Sequence, residues 1–244
     1  MQVALIAPKS MLKWTRLGDL HFIIPQTADV EFYAGEDKYK ILDNGAYESD
    51  HPMDFEDLVK LADELHVDEV IVPDVLFDGL TTYQNARMFF ESFYTSKLPF
   101  KTMIVPQAQN PGGWIVAYEA FTRAFQQADV IGVPKWLDGK FHCRAAVLLH
   151  LAERELLVSK PHHLLGVDNL PDLRLCRLIG EGYIRSCDTS KPFTFAYADK
   201  PLSLWSQHEI ERVKFDASAL PMWKETLLEH NILKLKEAAQ GFVG

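Results

Sequence analysis

Eight short apolar runs recur along the chain, and most of them stop abruptly on a carboxylate, an amide or a proline. They cover residues 3–7, 21–25, 40–44, 69–74, 102–107, 129–134, 163–168 and 183–188. The runs are rich in Val, Ile and Leu and lack strict apolar–polar alternation, which is how strands buried on both faces read. Helical stretches separate the later runs. Residues 54–65 carry Phe55, Leu58, Leu61, Ala62 and Leu65 at helical spacing behind Asp54, a residue suited to the N-cap. Further helical patterns cover 81–94, 114–127, 141–158 and 172–179. Strand and helix in alternation predict an α/β fold with a parallel sheet, and eight such strands predict a (β/α)8 TIM-like barrel. The first two β/α units are irregular: 9–20 is short for a crossover and 27–40 has weak helical pattern, so both are expected as loops over the barrel mouth. Two more helical patterns lie within 205–239, broken at Leu220-Pro221, and predict extra C-terminal helices in an extension of about 203–244. A length of 244 residues matches one barrel, so 1–244 is read as a single domain.

No run approaches the roughly 18 apolar residues of a membrane span. The opening Met1-Gln2-Val3-Ala4-Leu5-Ile6-Ala7-Pro8 has no basic n-region and reads as a first strand, not a signal peptide. Cytoplasmic residence without a membrane partner is the expectation. Cys143, Cys176 and Cys187 are an odd set at wide spacing, which predicts neither a disulfide framework nor a zinc knuckle; Cys187 is expected to be a small buried strand residue. The formal net charge of −9 argues against a broad nucleic-acid-binding coat. It leaves room for a local basic rim from Lys9, Lys13, Arg16, Lys135, Lys140, Arg144, Arg185 and Lys191, which lie at or after expected strand ends. The chain has no Walker A pattern, no Gly-x-Gly-x-x-Gly after the first strand and no His-Glu-x-x-His. His162-His163 is expected before the seventh strand, at the bottom of the barrel, in a structural role.

In a barrel of this kind the active site sits at the C-terminal rim of the strands, so the strand ends name the candidates. Asp43-Asn44-Gly45-Ala46-Tyr47 reads either as a tight βα turn with Asp43 as a helix cap, or as a general acid/base carboxylate with backbone N–H groups behind it. Asp74 is either an N-cap or a carboxylate that accepts N–H bonds from a purine-type base. Gln107 and Gln109 place amides at the next mouth, as a polar loop or as donors and acceptors to a heterocycle. Gly132 brings main chain close either to a ligand or to a neighbouring strand. Asp168 and Asn169 read as caps more than as chemistry. Asp188-Thr189-Ser190-Lys191-Pro192 gathers an acid, two hydroxyls and a lysine after the last strand. Tyr47, Phe77 and Trp136 lie near the rims and suit either base stacking or core packing.

This order of strand-end residues resembles the tRNA-guanine transglycosylase superfamily, and most closely the 7-deazaguanine DNA transglycosylases of phage and bacterial DNA modification. The resemblance runs over about 40–191. Asp43-Asn44-Gly45-Ala46-Tyr47 is similar to the family's Asp-Ser-Gly-Gly-Phe segment, with Ala46 and Tyr47 in place of its second Gly and its Phe. It implies that Asp188 is the nucleophile and Asp43 the general acid/base. It further implies that Asp74, Gln107 (or Gln109), Gly132, Asn44, Gly45, Tyr47 and Lys191 bind substrate. The implied reaction replaces guanine in nucleic acid, DNA ahead of tRNA, with a 7-deazaguanine such as preQ0. No metal and no cofactor is implied, because the Cys-rich zinc segment of the tRNA enzymes is absent. A homodimer, the assembly of those enzymes, stays open. Three other readings stand beside this one: an N-glycosidase or nucleoside hydrolase on the same barrel, a Mg²⁺ enzyme using Asp43, Asp74 and Asp188, and a non-catalytic barrel that binds a nucleic acid or protein partner.

Overall fold

The apolar runs pair side by side as parallel strands. The computed structural model describes residues 1–93, 98–139, 141, 143–180, 182–203, 210 and 213–241. Among these, the strands are β1 (Gln2–Leu5), β2 (His21–Ile23), β3 (Lys40–Leu42), β4 (Glu69–Ile71), β5 (Lys101–Ile104), β6 (Val130–Val133), β7 (His162–Leu164) and β8 (Ile184–Thr189). They hydrogen-bond in the order β1-β8-β7-β6-β5-β4-β3-β2, and a parallel bridge between Ala4 and Leu20 brings the two ends together. The sheet is thus a nearly closed eight-stranded barrel, as the repeat of β/α units predicts. Ladder pairing stops short of the ends of most runs. Asp43, Asp74 and Gln107 therefore stand just past β3, β4 and β5, where a side chain clears the sheet and faces the mouth.

Side chains of the strands divide between two layers. Ala4, Phe22, Ile41, Ile71, Met103 and Val130 meet in the lumen, while Val3, Leu5, Ile131, Leu164, Ile184 and Cys187 pack outward against the helices. Ile184 and Cys187 are three residues apart, which a regular period-two strand cannot place on one face. A register shift explains it: His162 pairs with Ile184 and His163 with Ser186, so Arg185 is an extra residue in β8. The bulge turns Ser186 and Asp188 inward, the re-aiming that bulges perform next to functional sites.

The helices are α1 (Val30–Ala34), α2 (Ala46–Ser49), α3 (Phe55–Glu64), α4 (Gly79–Ser92), α5 (Pro111–Ala124), α6 (Trp136–Gly139), α7 (Arg144–Glu153), α8 (Leu170–Arg177), α9 (Lys191–Tyr197) and α10 (Met222–Gln240). Asp54 and Asn169, read as caps from the sequence, accept from Glu56 N and Asp172 N, and Asn110 accepts likewise from Gly113 N. The first connection is a 3₁₀ segment, Lys9–Leu17, interrupted at Met11, and the second holds a 3₁₀ turn and the five-residue α1, so the early units are irregular. The pattern at 141–158 becomes the shorter α7, and the one-turn α6 precedes it. Of the two tail patterns, the second is α10, which starts at the Leu220-Pro221 break. The first includes 205–209 and 211–212, which lie outside the described residues, as does Lys140 of the expected basic rim. The short helix α9, behind Pro192, was not anticipated. It is covered by α10, whose Asn231 accepts from Leu202 N (2.6 Å) and donates to Pro192 O and Lys200 O (both 3.2 Å). Among the described residues, no helix is long and apolar enough to cross a membrane.

Candidate active site

A cavity of about 440 Å³ opens at the C-terminal mouth of the strands. Its base is apolar, with Ile6, Phe22, Ile24 and Leu165, and of the five carboxylates in its lining Asp43, Asp74 and Asp188 stand at or just past strand ends, with Glu48 and Asp168 beside them. Each of the three strand-end carboxylates is set differently.

Asp188 projects from the end of β8 and is almost fully buried. Its Oδ1 is 3.0 Å from His163 Nε2 and accepts the Gly166 amide N–H at 3.0 Å, which also lies 3.1 Å from Oδ2. Gly166 follows β7 with φ +55°, and a Cβ there would meet the Lys135 side chain at 2.7 Å. Only glycine turns the chain in this way without strain, and the turn aims its amide at the carboxylate.

Asp43, at the end of β3, is pushed well above the ordinary carboxylate range. The main cause is burial, with Glu48, Asp74 and Asp188 adding like-charge repulsion. A carboxyl pushed up in this way is shifted toward its protonated form, the form a proton donor needs.

Asp74 is raised to about 6 by burial, against the opposing pull of its hydrogen bonds to Asn44 and Gln107. Its Oδ1 accepts from Asn44 Nδ2 at 2.7 Å and its Oδ2 from Gln107 Nε2 at 2.6 Å. Gln107 cannot be turned over, because its Oε1 accepts from Trp136 Nε1 at 2.9 Å and indole N–H is only a donor. Asn44 is also committed: its Nδ2 reaches Val72 O (3.2 Å) and its Oδ1 accepts from Ala46 N (2.9 Å). Both amides therefore hold Asp74, and it is Asp74 that faces the cavity with acceptor capacity to spare.

The upper wall is aromatic. Phe77 and Trp136 pack with ring centroids 5.5 Å apart, and Tyr47 lies opposite, half exposed, beneath Lys135 Nζ at 5.4 Å. Phe77 has φ +63°, a rare conformation for an aromatic residue. The turn it makes leads into α4, whose Gly79 lies so near β5 that a Cβ would be 2.3 Å from Gln107 O. At the edge, Lys135 and Lys191 share Asp168 Oδ1, at 3.1 and 3.4 Å.

The structure brings Asp188, Asp43, Asp74, Gln107, Asn44 and Tyr47 to one cavity. Gly45 makes the left-handed turn (φ +79°) behind them, and Lys191 stands at the edge. Gln109 is exposed and Gly132 is within β6, and neither lines the cavity. A Cβ on Gly132 would lie 2.6 Å from Val105 Cγ2, so its smallness serves the packing of neighbouring strands. Three members of the expected basic rim are elsewhere. Arg16 pairs with Glu36 at 2.7 Å, beside His21 at the start of β2. Arg144 is fully buried on Asp172, and Arg185, displaced by the bulge, pairs with Glu69 at the opposite end of the barrel. His163 and Gly166 were missed as partners of Asp188. His163 lies within β7, not before it, and its inward side chain stacks on Phe22 at 5.5 Å and 9°. Cys176 and Cys187 are buried free thiols, pushed up by burial. Among the described residues, no group of three or more His, Cys, Asp or Glu is arranged to hold a metal ion.

No protein-family model matches the chain, and no curated protein matches it.

Proposed function

We propose that the chain is a base-exchange transglycosylase that replaces guanine in nucleic acid, DNA in preference to tRNA, with a 7-deazaguanine. The observation that carries this reading is the division of labour among three of the carboxylates in one cavity: one oriented by an N–H donor, one pushed toward its protonated form, and one clamped by two amides with acceptor capacity facing inward. Asp188 attacks C1′ of the target nucleotide, and the glycosidic bond breaks as the covalent glycosyl-enzyme forms. Asp43 delivers its proton to the departing guanine, then takes a proton from the incoming base, which attacks C1′ and releases Asp188. Two displacements give retention at C1′. Asp74 accepts the N–H edge of the base, and Tyr47, Phe77 and Trp136 offer faces to a base taken out of its stack.

One observation favours a hydrolytic variant. Both lysines at the mouth are shared with a single carboxylate, Asp168, which lowers the positive potential offered to a phosphate chain and suits a free nucleoside. Radiolabelled guanine exchange separates the two, run on duplex DNA, single-stranded DNA and tRNA with Asp188→Ala as control. Label entering one polymer, only when Asp188 is present, supports exchange. Release of base without entry of label supports hydrolysis.

A further inference from the structure

Beneath Asp188 lies a file of buried polar groups that the proposed chemistry does not itself use. Glu69 is fully buried at the barrel floor. It accepts both guanidinium arms of Arg185, at 2.7 and 3.0 Å, and the Tyr39 hydroxyl at 2.7 Å. The fixed guanidinium turns its Nε to Ser186 Oγ at 3.0 Å, Ser186 Oγ lies 2.8 Å from His163 Nδ1, and His163 Nε2 lies 3.0 Å from Asp188 Oδ1.

The proton positions in this file follow by elimination. Arginine only donates and keeps its protons, so Ser186 Oγ accepts from Arg185. An ionised Asp188 only accepts, so the nitrogen that faces it, His163 Nε2, carries the proton, and the single hydroxyl proton of Ser186 goes to a bare Nδ1. A neutral imidazole with a bare Nδ1 carries its proton on Nε2, and that N–H points at Asp188. The opposite tautomer would set a bare lone pair against a carboxylate, inside a fully buried site.

We propose that His163 is a positioning residue for Asp188, locked in its Nε2–H tautomer by the Glu69–Arg185–Ser186 file. The inference rests on Asp188 being the nucleophile. Because Arg185 keeps its protons, the file is a lock and not a proton wire. It also distinguishes the two carboxylate oxygens. Oδ1 accepts from His163 and from Gly166, whereas Oδ2, among the described residues, has the longer contact with the shared Gly166 amide alone. Oδ2 keeps more of its lone-pair density and is the attacking atom. The set Ser186, His163 and Asp188 has the composition of a hydrolase triad but not its function, since Ser186 is fully buried, lies below the imidazole and does not line the cavity.

Multiple-bond ¹H–¹⁵N spectra of full-length protein labelled at histidine nitrogen test the lock without reference to activity. The His163 signals, assigned by their loss in His163→Gln, are expected to show one neutral form at pH 7.5, protonated at Nε2. In Ser186→Ala the lock is released and a second tautomer appears. An Nδ1–H form or an imidazolium in the wild type overturns the proposal, as does a Ser186→Ala spectrum with His163 unchanged. In guanine exchange, His163→Phe is expected to lower kcat by roughly 10²-fold with KM little changed, the size seen when a group that orients a reacting residue is lost. His163→Gln, whose amide N–H reaches the same oxygen, keeps kcat within roughly tenfold of wild type. Equal kcat in His163→Phe and wild type overturns the positioning role. If His163→Phe does not fold, the Gln and Ser186→Ala variants decide it. A wild-type protein that exchanges no base removes the proposed function, and the tautomer then decides the lock by itself.

Discussion

Asp43 and Asp74 are both pushed up by burial, yet they are wanted in opposite states. Asp43 serves as an acid while protonated, whereas Asp74 receives a base N–H only when ionised. Activity should therefore rise with pH through about 6, the value of Asp74, and fall again where Asp43 loses its proton. A kcat/KM profile for guanine exchange checks this, and Asp74→Asn should abolish the acid limb while weakening base binding. Stability runs the other way. The folded-state pKa of Asp74 lies above its unfolded value of 3.8, so the native state holds the proton more tightly. Its contribution is greatest below about pH 4 and declines as pH rises through about 6, by about 3 kcal/mol. Urea unfolding across this window should show a smaller decline in Asp74→Asn than in wild type. Asp188→Asn, by contrast, removes the attacking group and should lower exchange by about 10⁴-fold or more, with the circular-dichroism spectrum of the native fold retained.

At the scale of elements, two glycines hold strands and helices at contact distance and separate packing from ligand recognition. Gly79→Ala places a methyl 2.3 Å from Gln107 O, so α4 must shift away from β5. Overpacking of this sort costs about 1–3 kcal/mol, and the shift loosens Gln107, hence Asp74. Base KM should rise along with the loss of stability. Gly132→Ala meets Val105 inside the sheet and should cost stability by a similar route, leaving base KM unchanged. A raised KM in Gly132→Ala would instead mark a ligand contact. These elements also show what the sequence makes legible. The strands are visible because both their faces are largely buried, so most runs carry two or more consecutive apolar residues. Asp43, Asp74, Gln107 and Asp188 are visible because a polar residue ending such a run has one place to go. The bulge at Arg185 is not visible, since an extra residue leaves no mark in a run that does not alternate. His163 was hidden with it. In the sequence the seventh run extends to Asp168, which makes the histidine a strand start. Pairing instead ends at Leu164, the turn falls at Gly166, and Asp168 is left between two lysines at the rim.

Over the whole molecule, the mouth is tied to the outer helices through Arg144. Its Nε and Nη2 donate to Asp172 Oδ2 at 2.9 and 2.7 Å, and its Nη1 donates to Leu165 O at 2.7 Å. Asp138 lies 3.9 Å away, with both its oxygens held by Asn169 Nδ2 at 2.7 and 2.8 Å. One buried cation thus joins α6, α7 and α8 to the turn that presents the Gly166 amide to Asp188. Arg144→Met leaves Asp172 and Asp138 without their cation and should cost about 3–5 kcal/mol. In a chain of this length that is a fall in Tm of roughly 10 °C. Adding Asp172→Leu removes the stranded carboxylate nearest the vacancy and should recover much of that stability, since an apolar pair replaces an ion pair at little net cost. Exchange activity should not recover with it, because Leu165 O and the turn to Gly166 still lack the guanidinium that fixes them. Thermal melts of the single and double variants, read beside their kcat, test this. Recovery of both together would mean that the network serves the fold alone, whereas recovery of stability without rate would show that the outer helices help to aim Asp188.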